Sequence, residues 1–483
     1  VSQNHSISLS GGGSKNNYRA SYTYLDRNGI MRDNDMQRHS FRFQFQQRAI
    51  NDRLRIGLAG SATLTDSHVP NGDNFVLAYS MLPVYPVYNA DGSYFTKVNA
   101  EYDQGNPVQN QNLNERKNSN VYFYGAGDIQ FEIINGLNIK ANLYKSRFSN
   151  EYSRYDDSRT TVGQGNNGFA QKRNRAWDRN LMEWTLDYNK SFGADEKHKL
   201  NAILGYSWED NTYSYFFAQN RNFLINDLSY NALQSGAGLK TGDVESGKNY
   251  YKLISMFARA HYSYDERYMI TATVRRDGSS KFGENNKYAF FPSAGLAWNV
   301  IQEDFMQDQN TISNLKLHTS YGLTGNSEID TYKSLASVSS GTLLINDVRA
   351  PYSYISSMAN PDLKWEKTGQ FDVGFEIGFW QNRLSFDLAY YNKKTTDLLL
   401  DCPIPHTTGF TTVYKNIGSV RNQGMDLMIS ARPVQTQDFN WSSTINLNFN
   451  KNKILQLGDN NEDIEMNSWV GAVSYTHLTL PTT

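Results

Sequence analysis

The sequence has 483 residues, of which 39% are hydrophobic and 13% aromatic (32 Tyr, 25 Phe and 8 Trp), with a mean hydropathy of −0.63. A water-soluble enzyme of this length fills its cores with about 45–50% apolar residues, glycine counted, so the balance suits a wall with one apolar face, one wet face, and Tyr and Trp where lipid meets water. Lys plus Arg number 47 against 48 Asp plus Glu, a net charge of −1 that gives no electrostatic case for nucleic acid as a partner. The single cysteine, Cys402, excludes an internal disulfide or a Cys-based zinc cluster. No run of 18 apolar residues occurs, which leaves strands as the remaining way to cross a bilayer. The chain opens Val1-Ser2-Gln3 with neither initiator Met nor signal peptide, as expected of a mature or truncated piece.

In chain order, the dominant pattern is alternation with period two, which places every second side chain on one face of a strand. Phe41, Phe43 and Phe45 alternate with Arg42, Gln44 and Gln46; Leu54, Ile56 and Leu58 then alternate with Arg55, Gly57 and Ala59. Leu137, Ile139, Ala141 and Leu143 repeat it, as do Tyr268, Ile270, Ala272 and Val274. In residues 371 to 379, Phe371, Val373, Phe375, Ile377 and Phe379 oppose Asp372, Gly374, Glu376 and Gly378. The turn Trp380-Gln381-Asn382-Arg383 separates these from Leu384, Phe386, Leu388 and Tyr390, which predicts a hairpin, and Ile445, Leu447 and Phe449 close the series. About sixteen such segments occur, and about ten residues at roughly 3.3 Å each, tilted by about 40°, project about 25 Å, the height of an outer-membrane apolar band.

Connection lengths alternate as well. Asn51-Asp52-Arg53, Gly193 to His198, Asp265-Glu266-Arg267 and Trp380 to Arg383 are short and polar, whereas the connections at about 66 to 116, 153 to 173, 217 to 248, 325 to 365 and 397 to 411 are long. That is the asymmetry of an outer-membrane barrel, short turns inside and long loops outside. One connection on the short side is longer, Val300 to Ser313, with a helical turn expected within Gln302 to Gln309. The long loops are rich in Asn, Gly, Tyr and Ser, as in Gly163 to Gly168 and Asn106 to Asn114; they carry either binding function or plain solvated surface.

Eight segments then fall in the order seen in a known family: NHSISLSGG (Asn4 to Gly12), RRDGSSKFG (Arg275 to Gly283), YAFFPSAGLAW (Tyr288 to Trp298), LKLHTSYGLTG (Leu315 to Gly325), NPDLKWE (Asn360 to Glu366), NRLSFDLAYYNKKTTDL (Asn382 to Leu398), NIGSVRNQG (Asn416 to Gly424) and NFNKNK (Asn448 to Lys453). Together they cover nearly the whole chain, which resembles the SusC-like TonB-dependent transporters. The resemblance implies an all-β fold, a transmembrane antiparallel β-barrel in the outer membrane of Bacteroidetes-type bacteria, with about sixteen strands present of about 22. It also implies an N-terminal plug pulled by the TonB complex, a SusD-like surface lipoprotein capping the mouth, outer-membrane lipid around the wall, and an oligosaccharide or, less often, a peptide as substrate. Against the family pattern the plug domain is expected to be absent, with residues 1–472 the partial barrel and 473–483 (Val473 to Thr483) an adapter-like tail. Two other readings share the strand pattern: a passive porin, and a secreted all-β glycan-binding protein.

Catalysis requires an acid, base or nucleophile converging on one point. The His residues at 5, 39, 68, 198, 261, 318, 406 and 477 show no metal-ligand spacing, and no GxSxG, P-loop or strand-turn-helix GxGxxG occurs. No enzyme activity, metal or cofactor is therefore expected. Asp156-Asp157 reads as a loop pair of carboxylates, and Arg275 to Ser280 as a basic strand end entering an Asp-Gly turn. Asp459, Asn461 and Asp463 begin like a calcium loop but fail at Ile464 and Val470. Cys402 sits in a long loop without evident role. Sugars offer apolar faces to aromatic rings, so Tyr85, Tyr88, Tyr94, Tyr352, Tyr354 and Trp365 are candidates for substrate or partner contact; alternatively they belong to the interfacial girdle or pack loop against loop.

Overall fold

A computed structural model describes residues 1–70, 72–95, 105–345 and 348–458 of the chain. The Asp459 to Asp463 spacing with Ile464 and Val470, His477, the boundary at residue 472 and the tail from Val473 lie outside these residues.

The main strands are β1 (Ser2–Gly12), β2 (Asn16–Asn28), β3 (Asp35–Ala49), β4 (Leu54–His68), β5 (Glu115–Ile134), β6 (Leu137–Asp156), β7 (Phe169–Phe192), β8 (His198–Arg221), β9 (Val244–Tyr264), β10 (Tyr268–Ser279), β11 (Tyr288–Asn299) and β12 (Ile312–Asn326). After a separate hairpin, β13 (Ser337–Ile345) and β14 (Val348–Ser357), come β15 (Glu366–Phe379) and β16 (Leu384–Thr396). A second small hairpin, β17 (Leu399–Pro403) and β18 (Thr412–Asn416), precedes β19 (Ser419–Gln435) and β20 (Asn440–Gln456). Leaving out the two hairpins, sixteen strands pair in chain order as one antiparallel sheet.

Short turns can join these neighbours because antiparallel strands need no crossover. The turns at 50–53 and 380–383 each hold three consecutive residues at positive φ, between 49° and 66°, and close with Arg53 N–H on the Ile50 carbonyl at 3.1 Å and Arg383 N–H on the Trp380 carbonyl at 3.2 Å. Asn51, Asp52 and Asn382 fit there because Asn and Asp tolerate the left-handed region best.

The chain divides into two compact units, the first comprising Val1–Phe131, Ala141–Met182 and Glu209–Tyr250, the second Glu132–Lys140, Glu183–Trp208 and Tyr251–Thr483. In the first, the register aligns Tyr24, His39, Leu64 and Val121, then Tyr22, Phe41, Ala62 and Phe123, then Tyr18, Phe45, Leu58 and Gly127 on one face. The intervening rows are Thr23, Ser40, Thr63 and Tyr122; Ser21, Arg42, Ser61 and Tyr124; and Arg19, Gln44, Ala59 and Ala126. In the second unit one row reads Ile270, Leu296, Thr319, Val373, Tyr390, Met425 and Phe449, while a row of the opposite face reads Gly295, Ser320, Asp372, Tyr391, Gly424 and Asn450. Each unit thus has an apolar face whose large side chains are exposed, Phe41 at 50% and Leu296 at 54%, and a polar face behind it.

The strands of the sixteen-stranded sheet are longer than the ten or so residues expected, from 11 in β1 to 24 in β7 and β8. Only part of each is lipid-type: on β4 the apolar face runs from Ile56 to Leu64 and gives way to Asp66, a stretch of nine residues that projects about 23 Å at the usual tilt. Because that stretch starts at the short turn, the surplus length emerges at the end that carries the long connections.

Those connections are more structured than the sequence suggested. Residues 69–114 contain helices α1 (Asp73–Ser80) and α2 (Pro107–Leu113). The α2 start is set by Pro107 and by Asn106, whose side chain accepts from the backbone N–H groups of Val108 and Gln109 at 3.0 and 3.2 Å. Residues 327–365 hold the β13–β14 hairpin, and the connection placed at 397 to 411 extends to 418 and holds β17–β18, so Cys402 is a buried strand residue at 7% exposure. The helical turn expected within Gln302 to Gln309 is two 3-10 turns, Val300–Gln302 and Asp304–Met306. Asp277-Gly278 is no turn: β10 runs through it to Ser279, and Gly278 pairs with Tyr288.

Candidate functional site: the polar face of the first unit

On β5 to β9 the polar face of the first unit carries a run of rings interleaved with arginines. Tyr122 and Tyr124, two residues apart on β5, have ring centroids 6.1 Å apart, and Tyr124 stacks on Tyr144 of β6 at 6.1 Å. The Arg179 guanidinium of β7 lies 5.8 Å from the Tyr144 ring and donates a two-pronged pair of hydrogen bonds, both 2.9 Å, to Glu209 of β8. That fork fixes the arginine plane over the ring. Farther along, Phe148 meets Trp177 at 5.3 Å, Trp177 meets Tyr213 at 4.9 Å, Tyr213 meets Tyr215 at 5.9 Å, and the Tyr215 hydroxyl donates to Glu245 at 2.6 Å. Arg173 covers Tyr152 at 5.0 Å. Trp177 remains 40% exposed and Tyr122 37% exposed, so these rings keep open faces. Rings held by stacked and tilted neighbours, with hydroxyl, guanidinium and carboxylate groups between them, can stack on apolar C–H faces and hydrogen-bond a ligand's periphery at once.

At the ends of these strands, toward the long connections, lies a buried polar network. Asp156, 1% exposed at the end of β6, accepts from Arg154 Nε at 2.8 Å and pairs with Arg116 at 3.5 Å. Asp157, 3% exposed, accepts from Arg159 Nε at 2.9 Å and Nη2 at 2.7 Å. These carboxylates are structural anchors, each held by its own arginines, and not a loop pair facing a shared ligand. The Tyr155 hydroxyl donates to Asn226 at 2.7 Å, and burial, with the neighbouring Asp157 charge adding to it, pushes this phenol up to about 12. In the same loops Asp243 accepts from Gln219 and Arg221 side chains and from the Lys240 backbone N–H; burial acts to raise its carboxyl, but these hydrogen bonds outweigh it and hold the carboxyl below its usual range.

Within each unit the loop aromatics make their own contacts. Tyr85 stacks on Phe95 at 5.7 Å; Tyr88 and Tyr94 form a bridge with rings 5.2 Å apart, and the Tyr94 hydroxyl accepts from Asn112 at 2.9 Å. Tyr352 and Tyr354 stack at 5.6 Å on β14. Trp365 is 6% exposed, wedged against Phe282 at 5.0 Å and Phe291 at 5.6 Å, with its indole N–H on the Lys287 carbonyl at 2.9 Å. Its ring is committed to a core with Leu363 and Ile329 and has no open face for a ligand. The rings of the polar face escaped notice because the stretch Val121-Tyr122-Phe123-Tyr124 is aromatic in both phases of the alternation. The signal that could have found them is the spacing of two in Tyr122/Tyr124 and Tyr213/Tyr215.

A sheet apolar on one face and polar on the other, with an aromatic pair, Tyr268 and Trp298, whose hydroxyl and indole N–H both donate to Glu303 beside the short connection, has the anatomy of an outer-membrane β-barrel wall. Residues 85–481 match the family described as "TonB dependent receptor-like, beta-barrel", and the chain belongs to this family. It is 34% identical over 473 residues to TonB-dependent receptor P3 of Formosa agariphila, covering 95% of this chain and 46% of that protein. It is 28% identical to TonB-dependent receptor SusC of Bacteroides thetaiotaomicron, covering 96% of this chain and 48% of that protein. A solved structure of the RagAB peptide transporter superposes with a TM-score of 0.78 at 29% identity, over 94% of this chain and 51% of that one. The chain spans about half the length of the curated relatives it matches. These matches set it among SusC-like receptors of the outer membrane and apart from porins and secreted all-β proteins.

Proposed function

We propose that the chain forms part of the wall of an active importer that takes up an oligosaccharide with a SusD-like surface lipoprotein and draws energy from TonB. The observation that carries this reading is the run of open rings and hydrogen-bonding groups on the polar face of β5 to β9, which in a barrel is the face toward the lumen. A passive pore needs no such adhesive surface. Partner docking is supported by the β13–β14 hairpin in a long connection, where Val338, Leu344 and Ile355 share one face by register and are 57–71% exposed. The likeness to a peptide transporter keeps a peptide as the second reading of the substrate.

The test is uptake by the full-length receptor in its host, against a clean deletion, supplied with defined oligosaccharides and defined peptides as sole carbon source. Growth on at least one oligosaccharide should depend on the receptor and fall when Trp177 is replaced by Ala with outer-membrane levels unchanged. Growth loss confined to peptides would replace the glycan reading with the second one.

A further inference from the structure

Among the described residues, the polar face of β1 to β4 carries six arginines, Arg19, Arg27, Arg38, Arg42, Arg48 and Arg55, and no carboxylate. All six side chains are exposed, and none forms an ion pair among the described residues; the nearest to a partner is Arg38, which reaches only the Met36 sulfur at 3.6 Å. Their placement is paired. Arg48 and Arg55 are direct cross-strand neighbours; Arg19 and Arg42 are diagonal neighbours, since Arg19 faces Gln44 and Ser21 faces Arg42; Arg27 and Arg38 lie on the opposite diagonal farther along, facing Met36 and Leu25. Like charges directly opposite on a sheet are destabilising, and diagonal ones are within reach of long side chains. Arg48 and Arg55 have the Asp128 carboxyl of β5 close by, diagonal to Arg55 and lying over Gly57, whereas the Arg19/Arg42 and Arg27/Arg38 pairs have no carboxylate beside them on β1 to β4. Counting along β3, the pairs are separated by four and six residues, about 13 and 20 Å.

The middle pair opens onto a cavity of about 540 Å³ that Arg19, Arg42, Gln44, Ser61, Tyr122 and Tyr124 help to line, within the size range of ligand sites. Guanidinium forks match planar or tetrahedral oxyanions two bonds at a time. The tyrosines belong to the ring run described above, so this cavity joins the cationic steps to a stacking surface.

We propose that the β1 to β4 face is an anion-reading wall that selects oligosaccharides bearing carboxylate or sulfate groups. The inference rests on the glycan reading above and narrows it to acidic sugars. The Arg19/Arg42 and Arg27/Arg38 pairs each engage one substrate anion, and Tyr122 and Tyr124 offer a ring to the sugar between them. Neutral oligosaccharides gain the ring contacts alone and leave the arginines uncompensated.

The test uses the full-length receptor in detergent or outer-membrane vesicles, with a uronate oligosaccharide, a sulfated oligosaccharide and a neutral oligosaccharide of equal length, titrated calorimetrically at two salt concentrations. Wild type should bind one or both acidic probes at least tenfold more tightly than the neutral one, with affinity falling as salt rises. The R19Q/R42Q double variant should lose at least tenfold toward the acidic probe and little toward the neutral one, and Arg42→Lys, which keeps the charge without the fork, should fall between. Whichever acidic probe responds identifies carboxylate or sulfate as the group read. Equal binding of acidic and neutral probes, unchanged in R19Q/R42Q, overturns the anionic class while leaving the glycan reading intact. Loss of thermal stability in R19Q/R42Q with unchanged discrimination also overturns it, because the arginines would then serve another segment of the receptor. Failure of every oligosaccharide to bind contradicts the glycan reading itself.

Discussion

The polar faces of the two units solve the same problem differently. In the second unit, β12, β15, β16 and β19 carry Glu366, Asp372, Glu376, Asp387 and Asp426 with Lys316 and Lys393 on that face, and most of these charges are answered locally. Lys316 donates to Glu376 at 3.1 Å, Gln370 donates to Asp372 at 2.8 and 2.9 Å, and Asn448 donates to Asp426. In the first unit, Arg19 with Arg42 and Arg27 with Arg38 stand on β2 and β3 with no ion-pair partner among the described residues. A wall whose charges are satisfied by its own residues behaves as a frame, whereas one that keeps like charges paired and open is poised for something from outside.

The largest effect that could break this comparison concerns which face meets lipid. Leu296→Arg, on the apolar face of the second unit, should destabilise the folded receptor in bilayers by about 3 kcal/mol, measured by denaturant titration in vesicles, whereas Ala389→Ser on the polar face should change it by less than about 0.5 kcal/mol. Equal effects would mean that the faces have been read the wrong way round. Next is the loop network: Asp156→Ala leaves Arg116 and Arg154 facing each other without their carboxylate and should cost about 3 kcal/mol, seen as faster proteolysis within 157–168.

Acid sharpens the same point. Because hydrogen bonds hold the Asp243 carboxyl below its unfolded value, its contribution to stability is complete above the ordinary carboxylate range near pH 4 and is lost as pH falls through the lowered folded value. The protection factor of the Lys240 amide, high at neutral pH, should fall on acidification below that range, and Asp243→Asn should leave it low at both pH values. Trp177→Ala should weaken oligosaccharide binding about tenfold, close to 1.4 kcal/mol. Smallest of all, Lys316→Met should change stability by less than about 1 kcal/mol, since the pair it breaks is about one-third exposed at both ends.

Much of this architecture is legible in the sequence, for a physical reason. Sixteen strands with one lipid-facing side must alternate, so Phe371 to Phe379 announces both a strand and its outward face, and turns such as 380–383 follow from antiparallel pairing. What stayed hidden lies where the alternation carries no constraint. Outside the lipid both faces meet water or protein, so the β13–β14 and β17–β18 hairpins read as loops, and Asp277-Gly278, a turn signal by local chemistry, was overridden by pairing with β9 and β11. Trp365 looked available because burial is a long-range property: its neighbours Phe282 and Phe291 lie more than seventy positions away in sequence. The arginine pairs were present as Arg19 and Arg42 all along, but only the register makes them neighbours.

The most direct test of that two-faced wall is site-specific labelling of the full-length receptor in native outer-membrane vesicles, with cysteine placed at Arg42 or at Phe43, against the low background of buried Cys402. Cysteine at 42 should react with a membrane-impermeant maleimide and be protected by an acidic oligosaccharide, while cysteine at 43 should react only with a lipid-soluble reagent. Equal labelling of 42 and 43 by the aqueous reagent, or labelling of 43 alone, would contradict the account.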